Sequence, residues 1–200
     1  MLGNFKLVAA TFRLRHYQLH ENKFTQAEVC DHFNNFTVEK LHLMNIVIYP
    51  DPVLRQKAKP LSEINREVYL KVEEMMELMY QAQGIGLAAP QVGWSVRLFI
   101  IDADGDSHEE KVFINPVIIE EAGELNKEEG CLSFPGIMGK VVRAQRIKAQ
   151  AYTLKGQKIE IEAEGLAARA WQHEIDHLNG CLFIDKMSPA NRLAISHQLK

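Results

Sequence analysis

The sequence is poor in cysteine and has no long hydrophobic run. Three cysteines in 200 residues do not make a disulfide framework, so a reducing compartment is the natural interpretation. A transmembrane helix needs about 20 consecutive apolar residues, and no segment approaches that length, so we expect no membrane association. Positive charge is not in excess either. The formal net charge is -3, which gives no reason to expect nucleic acid as a direct partner.

What is present suits one globular domain with a proper core, because 46% of the residues are hydrophobic. Apolar residues recur at helical spacing from Leu61, where Ser62 is the predicted N-cap, and again from Leu166 to Leu178. The predicted strands are 96–102, 111–115, 117–121, 141–154 and 158–164, and a short helix at 189–198 ends the chain. We predict an α+β fold, with antiparallel strands packed around the second helix.

Residues 172–180 hold the pattern on which the functional argument depends. His173 and His177 are four residues apart, so on a helix they project from one face and can bind one divalent metal. Glu174 lies beside them, where it can transfer protons. Gly165 and Gly180 bracket the helix, with Gly180 as the predicted C-cap. Two histidines on an ordinary helix would show the same spacing, but Glu174 and the helical context favour a metal site.

A metal site needs a third protein ligand, and the downstream sequence does not supply a familiar one. Where one zinc-protease pattern has a further histidine, this chain has Phe183, and no glutamate follows Glu174. Cys181 lies just past the helix and is better explained as a small buried residue, and His197 as a surface histidine. Upstream, Cys131 lies in the glycine- and proline-bounded segment 128–136. A thiolate with two imidazoles leaves one position open for water, as catalysis requires.

The segment 84–93 contains glycines at a spacing that superficially fits a dinucleotide-binding fingerprint. That fingerprint follows a strand and opens a helix, whereas here a helix precedes and a strand follows. A loop whose glycines allow close approach of an extended peptide fits better. Gln91 at its end supplies a neutral amide donor, suited to stabilising negative charge.

Together these three segments resemble the signature motifs of the peptide deformylase family. Gly84–Gln91 matches G-x-G-x-A-A-x-Q, Glu129–Ser133 matches E-G-C-L-S, and His173–His177 matches H-E-x-x-H, in the family's order. The resemblance covers residues 44–190. It implies hydrolysis of the formyl amide on the N-terminal methionine of nascent peptides, with Fe²⁺ as the cofactor and Zn²⁺, Ni²⁺ or Co²⁺ as substitutes. It also implies that Ile85 and Gly86 line the peptide and that Gly130 lies near the formyl group.

The chemistry of these residues, taken without the resemblance, predicts hydrolysis of an amide and no more specific reaction. A divalent metal on Cys131, His173 and His177 would activate water, and Glu174 would accept a proton and pass it to the departing amine. The Gln91 amide and the backbone N–H of Leu132 would meet the oxyanion. Two alternatives stay open: another metallohydrolase, such as a peptidase with the same helix, and a binding module that has kept the fold without catalysis.

Residues 1–43 stand apart from the predicted catalytic domain, 44–200. The first twenty contain Lys6, Arg13 and Arg15 and no acidic residue, as in organelle-targeting segments, but they also lack serine. The interpretation we favour is that Met44 is the true start and that residues 1–43 reflect start-site choice.

We expect a monomer in a bacterial cytoplasm, or in an organelle if the extension is a transit segment. A ribosome contact suits an enzyme acting on nascent chains, although no basic patch identifies it.

Overall fold

The computed structural model describes residues 44–103 and 111–199. The predicted N-terminal extension, 1–43, therefore lies outside the described residues, as does most of the predicted turn after Asp102. Within the described ranges, none of the helices is both long enough and apolar enough to cross a membrane.

The described chain contains four α-helices and seven strands. The helices are α1 (Arg66–Gln81), α2 (Gly165–Leu178), α3 (Phe183–Lys186) and α4 (Pro189–Ala194), and short 3-10 helices cover Pro52–Arg55, Ala89–Val92 and Ser196–Gln198. The strands are β1 (Gly86–Ala88), β2 (Leu98–Ile101), β3 (Val112–Ala122), β4 (Leu125–Gly130), β5 (Met138–Arg143), β6 (Arg146–Tyr152) and β7 (Lys158–Glu164).

The strands form two antiparallel sheets. The larger has the order β1-β2-β3-β6-β7, and the smaller consists of β4 and β5. β2 and β3 pair directly, with Phe99 opposite Phe113, so the predicted hairpin between these segments is confirmed. The predicted α+β class is confirmed as well, and the metal-motif helix α2 packs against the larger sheet.

β2 and the first residues of β3 are buried on both faces, which explains their continuous apolar sequence. Leu98 and Ile100 of β2 pack with the apolar face of α1. Phe99, between them, points to the opposite face and meets Trp171 of α2, with ring centroids 4.9 Å apart. Because successive side chains of a strand alternate in direction, α1 and α2 lie on opposite faces of the same strands. The methionines of α1 are core residues, as their spacing predicts.

Two predicted boundaries were wrong for local reasons. α1 begins at Arg66 and not near Leu61, because Asn65 is the N-cap: its side chain accepts a hydrogen bond from the Val68 N–H at 3.2 Å. Ser62 therefore has no capping role. α2 ends at Leu178 with Asn179 as C-cap, so Gly180 follows the cap. Gly180 has φ 71°, and a side chain there would overlap the carbonyl of Arg55.

The predicted strand 141–154 is also wrong, because it is two strands that belong to different sheets. β5 pairs with β4, whereas β6 pairs with β3 and β7. The break lies at Ala144, whose backbone N–H and C=O both bond to the Gln172 side chain at 2.9 Å. A helix side chain thus satisfies the backbone where the chain changes sheet. The break has no glycine or proline, which is why the sequence pattern did not reveal it.

The predicted strands 111–115 and 117–121, in contrast, are one continuous strand, β3. Its pairing with β6 shifts register between Ile114 and Val117, and Asn115 has φ 51°. This irregularity has the character of a β-bulge, which bends a strand without ending it. The proline at 116 marks the bulge and not a gap between strands.

Candidate metal centre

Three potential metal ligands converge at one point beside α2. The sulfur of Cys131 and ring nitrogens of His173 and His177 all lie within 4.8 Å of one another. His177 Nε2 is 3.2 Å from Cys131 Sγ and 3.2 Å from His173 Nε2. α2 supplies both histidines from one face, and Cys131 follows directly after β4. Cys181 and His197 do not belong to this group.

The donor set fits a divalent transition metal. Two imidazole nitrogens and one thiol sulfur are the ligand types that Fe²⁺ and Zn²⁺ accept, and three protein ligands leave a coordination position open. Burial lowers the pKa of His177 well below its ordinary value, and the charges of His173 and Arg143 act in the same direction. His177 is therefore neutral, which is the state in which imidazole binds a metal.

The pKa of His173 shifts in the opposite direction to that of His177 when no metal is bound. Burial opposes its charged form, but interactions with Cys131 and Glu129 outweigh burial and raise the pKa of His173 to about 10. The surroundings of this ring thus stabilise one positive charge at the point where the three ligand atoms meet. A bound cation would supply that charge in place of the proton.

A buried ion-pair network fixes His173. Its Nδ1 lies 3.1 Å from Glu129 Oε2, and Arg143 binds both carboxylate oxygens of Glu129 at 3.0 Å. Arg143 also donates to Asp176 Oδ2 at 2.5 Å. Burial opposes ionisation of Glu129, but hydrogen bonds from His173 and Arg143 outweigh it and lower the pKa of Glu129 to about 2. A carboxylate on the far nitrogen of a metal-binding histidine fixes the tautomer and orientation of the ring.

Neither the motifs nor the helical spacing predicted a role for Glu129, Arg143 or Asp176. Glu129 stands in the E-G-C-L-S motif and could have been found there. Asp176 lies on the same helix as the ligands. Arg143, at the end of β5, gave no signal in the sequence, because its contacts with Glu129 and Asp176 depend on the folded arrangement of three elements.

Glu174 is buried beside these three candidate ligands, with 4% of its surface exposed. Its Oε2 has no hydrogen-bond partner within the described part of the chain. Burial raises the pKa of Glu174 to about 7, although the charges of His173 and Arg143 partly oppose the shift. A side chain at Gly86 would overlap Glu174 Oε1, so glycine is needed there to leave room for the carboxylate. A carboxylate poised near neutral pH can both accept and return a proton.

Two neutral donors lie next to the thiol. The Ala88 N–H donates to Gln91 Oε1 at 2.8 Å, which fixes the orientation of the amide. The amide nitrogen then points to Cys131 Sγ at 3.4 Å and to Ser133 Oγ at 3.2 Å. Leu132 directly follows Cys131, and across residues 44–103 and 111–199 its backbone N–H makes no hydrogen bond. Gln91 and Leu132 thus offer hydrogen-bond donors that do not titrate.

The three residues predicted to contact the peptide lie close to this centre. Gly86 begins β1, an edge strand of the larger sheet, and Ile85 before it is 41% exposed. Gly130 ends β4 directly before Cys131 and pairs with Met138 of β5. Among the described residues β1 pairs with a strand on one side only, so its other edge lies open next to Glu174 except at the Ala88 N–H, which bonds to Gln91. An extended peptide can pair with such an edge.

A mononuclear metal site with an adjacent buried carboxylate is the arrangement of metal-dependent hydrolases. Comparison with known proteins defines the family. The polypeptide deformylase family model matches residues 43–193. The chain is similar to a peptide deformylase of Chromobacterium violaceum, with 46% identity over 79% of this chain and 95% of the relative.

Solved structures agree with this match. A peptide deformylase of Legionella pneumophila is 44% identical, with a TM-score of 0.75 over 78% of this chain and 93% of that one. Peptide deformylase 1B of Arabidopsis thaliana, solved with an inhibitor, is 42% identical, with a TM-score of 0.74 over 78% of this chain and 88% of that one. The chain belongs to the peptide deformylase family, whose metal-dependent enzymes remove the N-formyl group from nascent polypeptides.

Proposed function

We propose that this chain deformylates N-formylmethionyl peptides with the site around α2, and that Cys131, His173 and His177 hold its metal. One observation carries the proposal: a thiol and two imidazole nitrogens converge within 4.8 Å beside the buried carboxylate of Glu174. A metal there supplies Lewis acidity and lowers the pKa of water. We propose Fe²⁺ as the native metal, with Zn²⁺, Ni²⁺ and Co²⁺ able to replace it, because a mixed sulfur and nitrogen set accepts all four.

Glu174 is the proposed general base and acid. It takes a proton from the attacking water and later delivers a proton to the departing amine of methionine. Support comes from its burial, which raises the pKa of Glu174 to about 7 in the metal-free protein, towards the range in which one carboxyl group can both accept and deliver a proton. Its unpartnered Oε2 leaves one oxygen free for the reacting groups.

Gln91 and Leu132 are the proposed donors to the oxyanion that forms on the formyl carbon. The Gln91 amide is held by Ala88, so little reorganisation is needed when charge develops. The Leu132 N–H is rigidly attached to the residue that holds the metal. Both donors are neutral, so their hydrogen bonds do not depend on pH in the working range.

The formylated peptide is proposed to lie along the backbone of Ile85 and Gly86, with the formyl group near Gly130. The edge of β1 that has no strand partner among the described residues supports this placement, since main-chain hydrogen bonds bind peptides without demanding a particular side chain. Such recognition suits an enzyme that must act on nascent chains of many sequences. Transient contact with the ribosome is proposed as a consequence of this substrate.

The remaining assignments follow from the same substrate. We propose that residues 44–200 form the catalytic domain, that the enzyme works as a monomer, and that it acts in a bacterial cytoplasm, where formylated chains are made. Residues 1–43 are proposed to be dispensable for turnover. A chain that starts at Met44 should then match the full chain in activity and stability, and a loss of either would assign the extension a role.

The test is formate release from formyl-Met-Ala-Ser by protein purified without oxygen, with the metal content measured in the same sample. We expect release in proportion to bound iron and a slower rate from zinc-loaded protein. Internal peptide bonds serve as the control substrate and should not be cleaved. No formate from fully metallated protein would overturn the proposal, and cleavage of internal bonds would favour a peptidase.

A further inference from the structure

The strand that precedes Cys131 is weakly anchored for an element that must place a metal ligand. Within the described chain, β4 pairs only with β5 and belongs to a two-stranded sheet. His173 and His177 lie instead on α2, which packs on the larger sheet. Ser133 anchors the chain after Cys131 by bonding to Tyr49 and Gln91. On the β4 side, the position of the sulfur relative to the two imidazoles depends on the contacts that connect β4 with α2.

Arg169 makes such a contact with the backbone of β4. It lies on α2 four residues before His173, so both side chains leave the same face of the helix. Its Nη2 donates to the carbonyl oxygen of Glu128 at 2.5 Å. Its Nε lies 3.6 Å from Glu129 Oε1, beyond hydrogen-bond distance. The arginine side chain as a whole is 14% exposed, whereas its hydrogen bond to the Glu128 carbonyl lies at the surface.

Among the described residues, the other hydrogen bonds and ion pairs between β4 and α2 involve the side chain of Glu129, which orients His173. That carboxylate can rotate about its own bonds, whereas the Glu128 carbonyl belongs to the main chain three residues before Cys131. A hydrogen bond to the main chain restrains the path of the chain itself. The hydrogen bond from Arg169 thus restrains the main chain of β4, whereas the Glu129 network restrains the imidazole of His173.

We propose that Arg169 is a positioning residue that holds β4 against α2 and thereby keeps the Cys131 sulfur at ligand distance from His173 and His177. This role rests on the proposed metal ligands. The planar guanidinium of Arg169 presents several donors in fixed directions. Lysine keeps the charge and the length but offers a single point of contact, so it can replace arginine only in part.

The test uses Co²⁺ as a probe, since thiolate bound to Co²⁺ gives a charge-transfer absorption that imidazole does not. Wild type, Arg169→Met, Arg169→Lys and Arg97→Met are compared for Co²⁺ affinity, by chelator competition, and for this absorption per bound ion. Arg97 is the matched control. It also restrains α2, by donating to Asn179 Oδ1 at 2.9 Å and to the Pro116 carbonyl at 3.1 Å, but at the other end of the helix.

We expect Arg169→Met to bind Co²⁺ about 10–100-fold more weakly, the usual range for residues that support metal ligands. Its thiolate absorption should be weaker, Arg169→Lys should fall between, and Arg97→Met should match wild type. Wild-type affinity and absorption in Arg169→Met would overturn the proposal, as would an equal loss in Arg97→Met. If Arg169→Met does not fold, an Arg169→Lys protein indistinguishable from wild type would overturn it. Absence of thiolate absorption in wild type would instead contradict the ligand set, and the positioning role with it.

Discussion

Helices α1 and α2 pack against opposite faces of the same strands, yet they bury different chemistry. The buried residues of α1 are all apolar: Val68, Val72, Met75, Met76 and Met79. α2 buries Gln172, Glu174 and His177 together with Trp171 and Leu178. Apolar burial stabilises the fold without further conditions, whereas buried polar groups destabilise it unless they are paired.

The difference shows how one small domain separates stability from chemistry. Around α2 most buried polar groups have partners, since Glu129 and Asp176 neutralise Arg143 and Gln172 bonds to Ala144. Glu174 keeps an unpaired oxygen, and that oxygen lies where the proton transfers are proposed. Changes in α1 should therefore alter stability with little effect on catalysis, and selected changes near α2 should do the reverse.

The largest effect is expected from Glu174→Gln, which removes the proton carrier and keeps the shape of the side chain. Loss of general acid–base catalysis should lower kcat for formate release by about 10²–10⁴-fold, with metal content unchanged. Formate release at matched metal loading checks this, with Met75→Ala of α1 as the control that keeps kcat. A rate within a few-fold of wild type would exclude Glu174 as the base.

Arg143→Met tests whether the buried polar groups around α2 need their partners for the protein to stay stable. The substitution leaves the buried carboxylate of Glu129 without its guanidinium, so the free energy of unfolding should fall by about 3–5 kcal/mol. Urea unfolding of the metal-free proteins measures the loss. Arg55→Met is the control, because its pair with Asp185 is partly exposed and should contribute only about 0–1 kcal/mol. Equal losses in the two variants would contradict the network's role.

Met75→Ala tests whether the apolar core beneath α1 contributes to stability and not to catalysis. Met75 is fully buried in α1, so truncation should lower the free energy of unfolding by about 2–5 kcal/mol. Below the unfolding temperature, kcat should stay at the wild-type value. Leu70→Ala on the exposed face of the same helix is the control, with an expected change within about 0.5 kcal/mol. A fall in kcat at full folding would show that α1 and the site are coupled.

The smallest effect is a pH dependence in the metal-free protein. Burial raises the pKa of Glu174 to about 7 from its ordinary value of 4.5, so the folded state holds this proton more tightly than the unfolded state. At low pH Glu174 is protonated and neutral, so the folded state buries no charge there. As the pH rises from about 4.5 to about 7, ionisation of Glu174 is favoured in the unfolded state, and the folded state becomes progressively less stable. Glu174→Gln removes that destabilisation. Its stability relative to wild type should increase across this window, and parallel stability curves would contradict the shift.

Local patterns predicted the parts of the fold that depend on neighbouring residues. The methionine spacing identified the core face of α1, and the His173–His177 spacing correctly placed both imidazoles on one face of α2. Cys131 emerged by elimination of downstream ligands, and the structure brings it to the two histidines. Its role as a metal ligand stays a prediction.

Features that depend on long-range contacts could not be predicted in this way. The pairing of Arg143 with Glu129 and Asp176 joins β5, β4 and α2, and no spacing along the sequence encodes it. The separation of β5 from β6 depends on Gln172, 28 residues away from Ala144 in the chain. Glu129 was visible as part of a motif, but its function is evident only beside His173.

The most direct test of this account is X-ray absorption spectroscopy of the zinc-loaded enzyme, with Cys131→Ser measured in parallel. Ligation by Cys131, His173 and His177 predicts one sulfur at about 2.3 Å and two imidazole nitrogens at about 2.0–2.1 Å from the metal. The sulfur contribution should vanish in Cys131→Ser. A wild-type spectrum without sulfur, or one unchanged by the substitution, would contradict the metal site on which the account depends.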